Sequence, residues 1–189
     1  MKHIVIFASG SGSNAQRIAE YFSSGNIARV VKIYSNRADA YVLERAKNLD
    51  ISFDVFDRTD LYETDVICNQ LNILQPDVIV LAGFLWKIPE DIIQAFPKKI
   101  VNIHPALLPA YGGKGMYGER VHRMVIENRE PESGITIHYV NEKYDEGAAI
   151  FQARCSVSEN DTPETLAEKI HVLEHKYYPV IIERVLLQR

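Results

Sequence analysis

The sequence predicts an α/β fold, a doubly wound, mostly parallel sheet with helices on both faces, and three observations lead there. Through the first hundred residues short apolar runs alternate with segments of helical period, the order of repeated βαβ units. One of these runs, Val78-Ile79-Val80-Leu81, is apolar without a break, as a strand covered on both faces must be. After His104 a Pro/Gly-rich stretch leads into two segments of alternating polarity, which predict an antiparallel strand pair near the C-terminus.

Taken in order, strands are expected at 4–8, 30–34, 52–56, 77–81 and 100–104, with the fourth in the centre of the sheet. Apolar residues at helical spacing place crossover helices at 15–22, 40–47, 61–74 and 89–95. A further helix is expected near 119–128, and the late strands at 134–141 and 148–157. Thr162-Pro163 supplies an N-cap followed by proline at the first helical position, opening a long helix that runs to about Leu186.

With 189 residues, 47% hydrophobic and 24% charged, the chain suits a single domain, 1–189, with its own core. A net charge of −4 with scattered Lys and Arg argues against nucleic acid as a partner and for small-molecule substrates. No run is long enough for a membrane helix, and the N-terminus passes from a short apolar run straight into a Gly/Ser turn rather than a signal peptide. A cytoplasmic location is therefore expected, with monomer and homodimer both open. Cys68 and Cys155 are too few for a disulfide framework or a zinc site and read as buried small hydrophobes.

Ser9-Gly10-Ser11-Gly12-Ser13-Asn14 lies between a strand and a helix, where backbone N–H groups and the helix dipole converge on an anion. Gly10 and Gly12 would permit close backbone approach, while Ser13 and Asn14 could donate to phosphate oxygens. The plain structural alternative is a tight turn with Ser13 or Asn14 as a cap. Gly10-x-Gly12-x-x-Ala15 also fits the dinucleotide fingerprint, but the second strand ends Tyr34-Ser35-Asn36-Arg37, without an acidic residue for the ribose hydroxyls. Arg37 leaves an NADP-binding oxidoreductase as a weaker reading; a phosphate monoester fits better.

Asn102 and His104 are two residues apart on the fifth strand, so both side chains leave the same face at the edge where open α/β sheets keep their sites. An amide donor beside an imidazole suits a carbonyl that becomes a tetrahedral oxyanion, and losing one such donor costs on the order of a hundredfold in rate. The alternative is a polar pair bracing the next loop. An imidazole with an unperturbed pKa of about 6.5 needs a carboxylate to stay protonated near neutrality. Asp145, in the polar connection between the late strands, is the candidate, with Gly147 allowing a tight loop.

Gly10-Ser11-Gly12-Ser13-Asn14, Leu81-Ala82-Gly83-Phe84, Asn102-Ile103-His104-Pro105 with Leu107-Leu108-Pro109, His138 seven residues before Asp145, and Glu174-His175 followed by Tyr178-Pro179 span nearly the whole chain. Together they resemble the phosphoribosylglycinamide formyltransferases. The resemblance implies a formyltransferase fold without metal. It also implies transfer of the formyl group of 10-formyltetrahydrofolate, as co-substrate, to the amino group of glycinamide ribonucleotide in purine biosynthesis. It assigns Asn102, His104 and Asp145 to catalysis, with His138 as a secondary site residue, and Gly12, Ser13, Asn14 and Glu174 to the ribonucleotide. It assigns Leu85, Trp86, Lys87 and Ile88, together with Asn102, Asn141, Glu142, Lys143, Tyr144 and Asp145, to the folate. Arg58 is the nearest choice for a basic residue on the folate side, and the Gly-rich 111–118 segment is a candidate lid. Asp145-Glu146-Gly147 departs from the common pattern, carrying an acidic residue where many relatives have a second glycine. Formyltetrahydrofolate hydrolases and methionyl-tRNA formyltransferases use a similar trio; the Ser/Asn phosphate loop favours a small phosphorylated acceptor.

Overall fold

A computed structural model describes residues 1–188. Its strands are β1 (Lys2–Phe7), β2 (Ala28–Ser35), β3 (Phe53–Val55), β4 (Val78–Leu81), β5 (Ile100–His104), β6 (Glu132–Tyr139) and β7 (Ala149–Ser156). Its helices are α1 (Ser13–Ser23), α2 (Val42–Asn48), α3 (Arg58–Tyr62), α4 (Val66–Leu74), α5 (Glu90–Ala95), α6 (Glu119–Glu127) and α7 (Pro163–Leu187). The strands form one sheet in the order β3-β2-β1-β4-β5-β6-β7, with β4 in the middle as its unbroken apolar run requires. Strands β1 to β5 pair parallel, and β5-β6-β7 pair antiparallel.

The period of two in each strand builds two cores. Ile4 and Ile6 of β1, Val78 and Val80 of β4, and Val101 and Ile103 of β5 enter one core with α1, α2, α6 and α7. Val5 and Phe7, Ile79 and Leu81, and Ile100 enter the other, with α3, α4 and α5. Asn102 and His104 share the parity of Ile100, beyond the reach of that second helical layer, at the strand's open end.

Two expectations need correction. The single helix at 61–74 is two helices, α3 and α4. Asp57 starts α3 with a capping box, and the Thr64 hydroxyl then bonds the carbonyls of Thr59 and Asp60, closing the turn instead of propagating it. Leu61 and Leu71 are buried on either side of the break, so the apolar spacing runs through it unmarked. Cys68 and Cys155 are half-buried at the margins of the cores, not inside them. Among the described residues no helix is long and apolar enough to cross a membrane.

Helix α7 begins at the expected Thr162 cap, itself a capping box with Thr165, and packs on α1, α6 and the late strands. At its seam with α6 lies His122, 4% exposed and with no partner for Nδ1 among the described residues. Burial, with help from His171 and His104, pushes the imidazole down to about 4.

Two expected outcomes follow from this packing. A Cβ on Gly134 would lie 2.0 Å from the Ala153 carbonyl oxygen and 2.7 Å from Leu107, so Gly134→Ala should cost about 1–3 kcal/mol in urea unfolding. For His122 the folded pKa lies below the unfolded one, so the unfolded chain binds the proton first and stability is lost as pH falls from about 6.5 towards about 4. The wild-type urea midpoint should therefore drop more steeply over that window than that of His122→Leu; parallel curves would remove His122 from the acid response.

Candidate active site

The sheet opens at the C-terminal ends of β1, β4 and β5 into a cleft of about 500 Å³. Antiparallel pairing sets Asn102 opposite His138 and His104 opposite Thr136. His138 Nδ1 lies 2.9 Å from the Tyr139 carbonyl, which can only accept, so Nδ1 carries the proton. In the neutral ring Nε2 is then an acceptor, and it takes the Asn102 amide N–H at 3.2 Å. That bond fixes which end of the amide is nitrogen and leaves its second N–H for the cleft that Asn102 lines.

His104 is held in the opposite sense. Its Nε2 lies 2.7 Å from the Tyr111 carbonyl and must donate, so Nδ1 is the nitrogen available for chemistry. Nδ1 lies 3.6 Å from Asp145 Oδ2, while Oδ1 lies 3.6 Å from His138 Nε2, so the carboxylate bridges both imidazoles without a tight bond to either. Oδ2 also accepts the Gly113 N–H at 2.9 Å. Burial alone would raise the Asp145 carboxyl, but the two imidazoles and this N–H outweigh it and hold the group below the usual carboxylate range. For His104 the balance runs the other way. Burial pushes its pKa below the ordinary value, and the nearby Asp145 and the Tyr111 carbonyl recover only part of the loss. At 3.6 Å the attraction of Asp145 is smaller than the cost of desolvating a ring only 3% exposed.

Of the two loop glycines only Gly12 is required. It sits at φ 73° as the N-cap of α1, and a Cβ there would meet Val42 at 2.4 Å, whereas Gly10 has open space around it. The loop is pinned from α2: Val42 N donates to the Gly10 carbonyl at 3.1 Å, and Arg45 Nε to the Ser11 carbonyl at 2.8 Å. Neither Ser13 nor Asn14 caps the helix, and both line the cleft. The Asn14 amide is already engaged, donating to Glu174 Oε2 at 2.9 Å. Its Oδ1 is buried without a partner among the described residues. Burial raises the Glu174 carboxyl above the usual range against the pull of that amide.

On the other side Leu85, Trp86, Lys87 and Ile88 line the cleft together with Asn141, Lys143, Tyr144 and Asp145. The Leu85 N–H donates to Ser9 Oγ, tying this loop to the one after β1. Trp86 packs edge-on to Phe56 and Phe84, and the Arg58 guanidinium covers its ring at 4.8 Å. Arg58 is thus placed by Trp86 outside the residues that line the cleft. Glu142 is exposed and lies outside the lining too.

Several supporting residues escaped the sequence reading. Thr136 Oγ1 donates to the Ala106 carbonyl and accepts from Leu108 N and Gln152 Nε2, fixing the chain that leaves His104. The fully buried Tyr178 hydroxyl sits 3.0 and 3.1 Å from the carbonyls of Leu81, the last residue of β4, and Val101 in β5. Tyr178 stood in a quoted motif without a role; Thr136 gives no sequence signal, since its work depends on cross-strand register.

A formyl transferase family model matches residues 2–182. Over its whole length the chain is 41% identical to a chloroplastic phosphoribosylglycinamide formyltransferase of Arabidopsis thaliana, and spans 66% of that protein. It is 36% identical to the phosphoribosylglycinamide formyltransferase of Bacillus subtilis, with 98% of this chain and 95% of the relative covered. Among solved structures, glycinamide ribonucleotide transformylase 1 from Symbiobacterium toebii superposes with a TM-score of 0.91 at 35% identity, covering 100% of this chain and 89% of the other. The chain belongs to the formyl transferase family, and its relatives at these levels are phosphoribosylglycinamide formyltransferases.

Proposed function

We propose that this protein transfers the formyl group of 10-formyltetrahydrofolate to the amino group of glycinamide ribonucleotide, a step of purine biosynthesis. The observation that carries this reading is one cleft in which a glycine-capped helix start faces a formyl-transfer trio: Gly12, Ser13 and Asn14 at one end, Asn102, His104 and Asp145 at the other. A phosphate monoester meets the unpaired N–H groups of α1, with Glu174 beside it to accept from ribose hydroxyls. The folate lies along 85–88 and the 141–145 loop, whose apolar and backbone surfaces suit a flat heterocycle.

With His104 carrying a second proton, taken from solvent onto Nδ1, the amine attacks the formyl carbon, the carbonyl π pair moves to oxygen, and the oxyanion takes hydrogen bonds from Asn102 Nδ2 and His104 Nδ1. Collapse breaks the bond to the folate N10, which receives a proton while the amine loses one, directly or through water. Asp145 offsets the burial cost of the imidazolium, and the growing oxyanion supplies the remaining attraction at the moment it is needed. His138 acts as a positioning residue, through Asn102. No covalent enzyme intermediate is required, so Cys68 and Cys155 have no part. The segment 113–118 covers the cleft as a lid, with Gly113, Gly115 and Gly118 at positive φ.

Formyl-folate consumption should require glycinamide ribonucleotide. Consumption without acceptor would make the protein a hydrolase, and none under either condition would end the enzyme reading. Asp145→Asn should lower kcat on the order of a hundredfold. Because loss of the anion lowers the His104 pKa further, the remaining activity of that variant should also disappear at a lower pH than in the wild type as pH rises. An unshifted profile would detach Asp145 from His104.

A further inference from the structure

Resting on that reading of the site, we propose that Tyr111 is a positioning residue for His104: its carbonyl fixes the imidazole, and its phenol, clamped by Glu130 and Asn128, fixes the carbonyl. Among the described residues the Tyr111 oxygen is the one hydrogen-bond partner of His104 Nε2, at 2.7 Å. Whether Nδ1 faces the reacting atoms is therefore decided by where this carbonyl points.

The carbonyl does not point there by default. Tyr111 has φ 57°, the left-handed region that a bulky side chain avoids, so the conformation has to be imposed. Its side chain supplies the restraint. The phenol donates to Glu130 Oε1 at 2.6 Å and accepts from Asn128 Nδ2 at 2.8 Å, and the ring lies against the first core. Asn128 and Glu130 belong to the turn between α6 and β6, which Arg129 N to Ile126 O and Glu130 N to Val125 O hold rigid. Two residues on, Gly113 donates to Asp145 Oδ2. Residues 111–113 thus bracket both members of the imidazole–carboxylate pair with main-chain groups, and a Cβ on Gly112 between them would strike Leu108 at 2.6 Å.

The groups facing the His104 ring are Asp145 from the loop after β6, His138 from β6, His122 from α6 and the Tyr111 carbonyl. Of these, Asp145 and the carbonyl favour the protonated ring, while burial and His138 oppose it. Loosening Tyr111 removes a favourable contact and frees the ring to turn. It should therefore lower both the pH at which His104 loses its proton and the fraction of rings with Nδ1 in place.

The test uses the full chain with Tyr111→Phe, Glu130→Ala and Glu130→Gln. His104 is titrated by NMR of the labelled imidazole, assigned by its loss in His104→Ala, and kcat and KM for formyl transfer are followed against pH. Tyr111→Phe and Glu130→Ala should move the His104 titration and the alkaline loss of kcat to lower pH. Both should lower kcat by about tenfold, with each KM within about twofold. Glu130→Gln, whose amide oxygen still accepts from the phenol, should restore the wild-type profile. Folded variants with an unmoved His104 titration would overturn the proposal, even if kcat fell, because a merely structural defect gives that result. Absence of formyl transfer by the wild type would instead overturn the functional reading, and the titration would still decide the role of Tyr111.

Discussion

The antiparallel register between β5 and β6 is the constraint on which the rest of the site depends. Setting Asn102 opposite His138 turns the amide, and setting His104 opposite Thr136 fixes the chain that leaves the strand. The same pairing ends β6 at Tyr139, and the loop that follows carries Asp145 to both imidazoles. A slip of one residue would reverse every side chain of β6, putting Ile137 in the cleft and His138 in the core. Gly147 guards this return: a Cβ there would sit 1.6 Å from the Tyr139 carbonyl oxygen, so the loop closes only over a glycine.

Within that frame the electrostatics are balanced rather than saturated. A tight Asp145–His104 ion pair would keep the imidazole charged, but it would also occupy the proton that an oxyanion needs. Contacts of 3.6 Å leave Asp145 close enough to offset part of the burial cost and too far to capture Nδ1. Burial moves the His104 pKa below its ordinary value, and Asp145 recovers only part of that shift. Main-chain groups complete the arrangement: Tyr139, Tyr111 and Gly113 each engage one atom of the three side chains, and main-chain groups reorganise little during a reaction.

The anion end follows a related logic. Glycine at the N-cap gives α1 no side chain of its own to satisfy its first turn, while Val42 N and Arg45 Nε hold the loop by the carbonyls of Gly10 and Ser11 and leave the N–H groups to the cleft. The Asn14–Glu174 bond ties this end to α7.

The sequence by itself determined whatever repeats within one element. Period two placed Val101 and Ile103 inward with Asn102 and His104 together on the other face, and the continuous apolar run put β4 in the centre. The Thr162 cap and the glycine turn after β1 are equally local. The break between α3 and α4 was missed because Leu61 and Leu71 keep the same burial on both sides of a turn closed by hydroxyl bonds that hydrophobic spacing does not register. Tertiary structure decided the partners. Asn102 meets His138 across 36 residues, Asn14 meets Glu174 across 160, and Glu142 drops out of the lining while its neighbours remain. It also decided the direction in which the His104 pKa moves, because burial is a property of the packed fold, and in this site burial outweighs the carboxylate beside the ring.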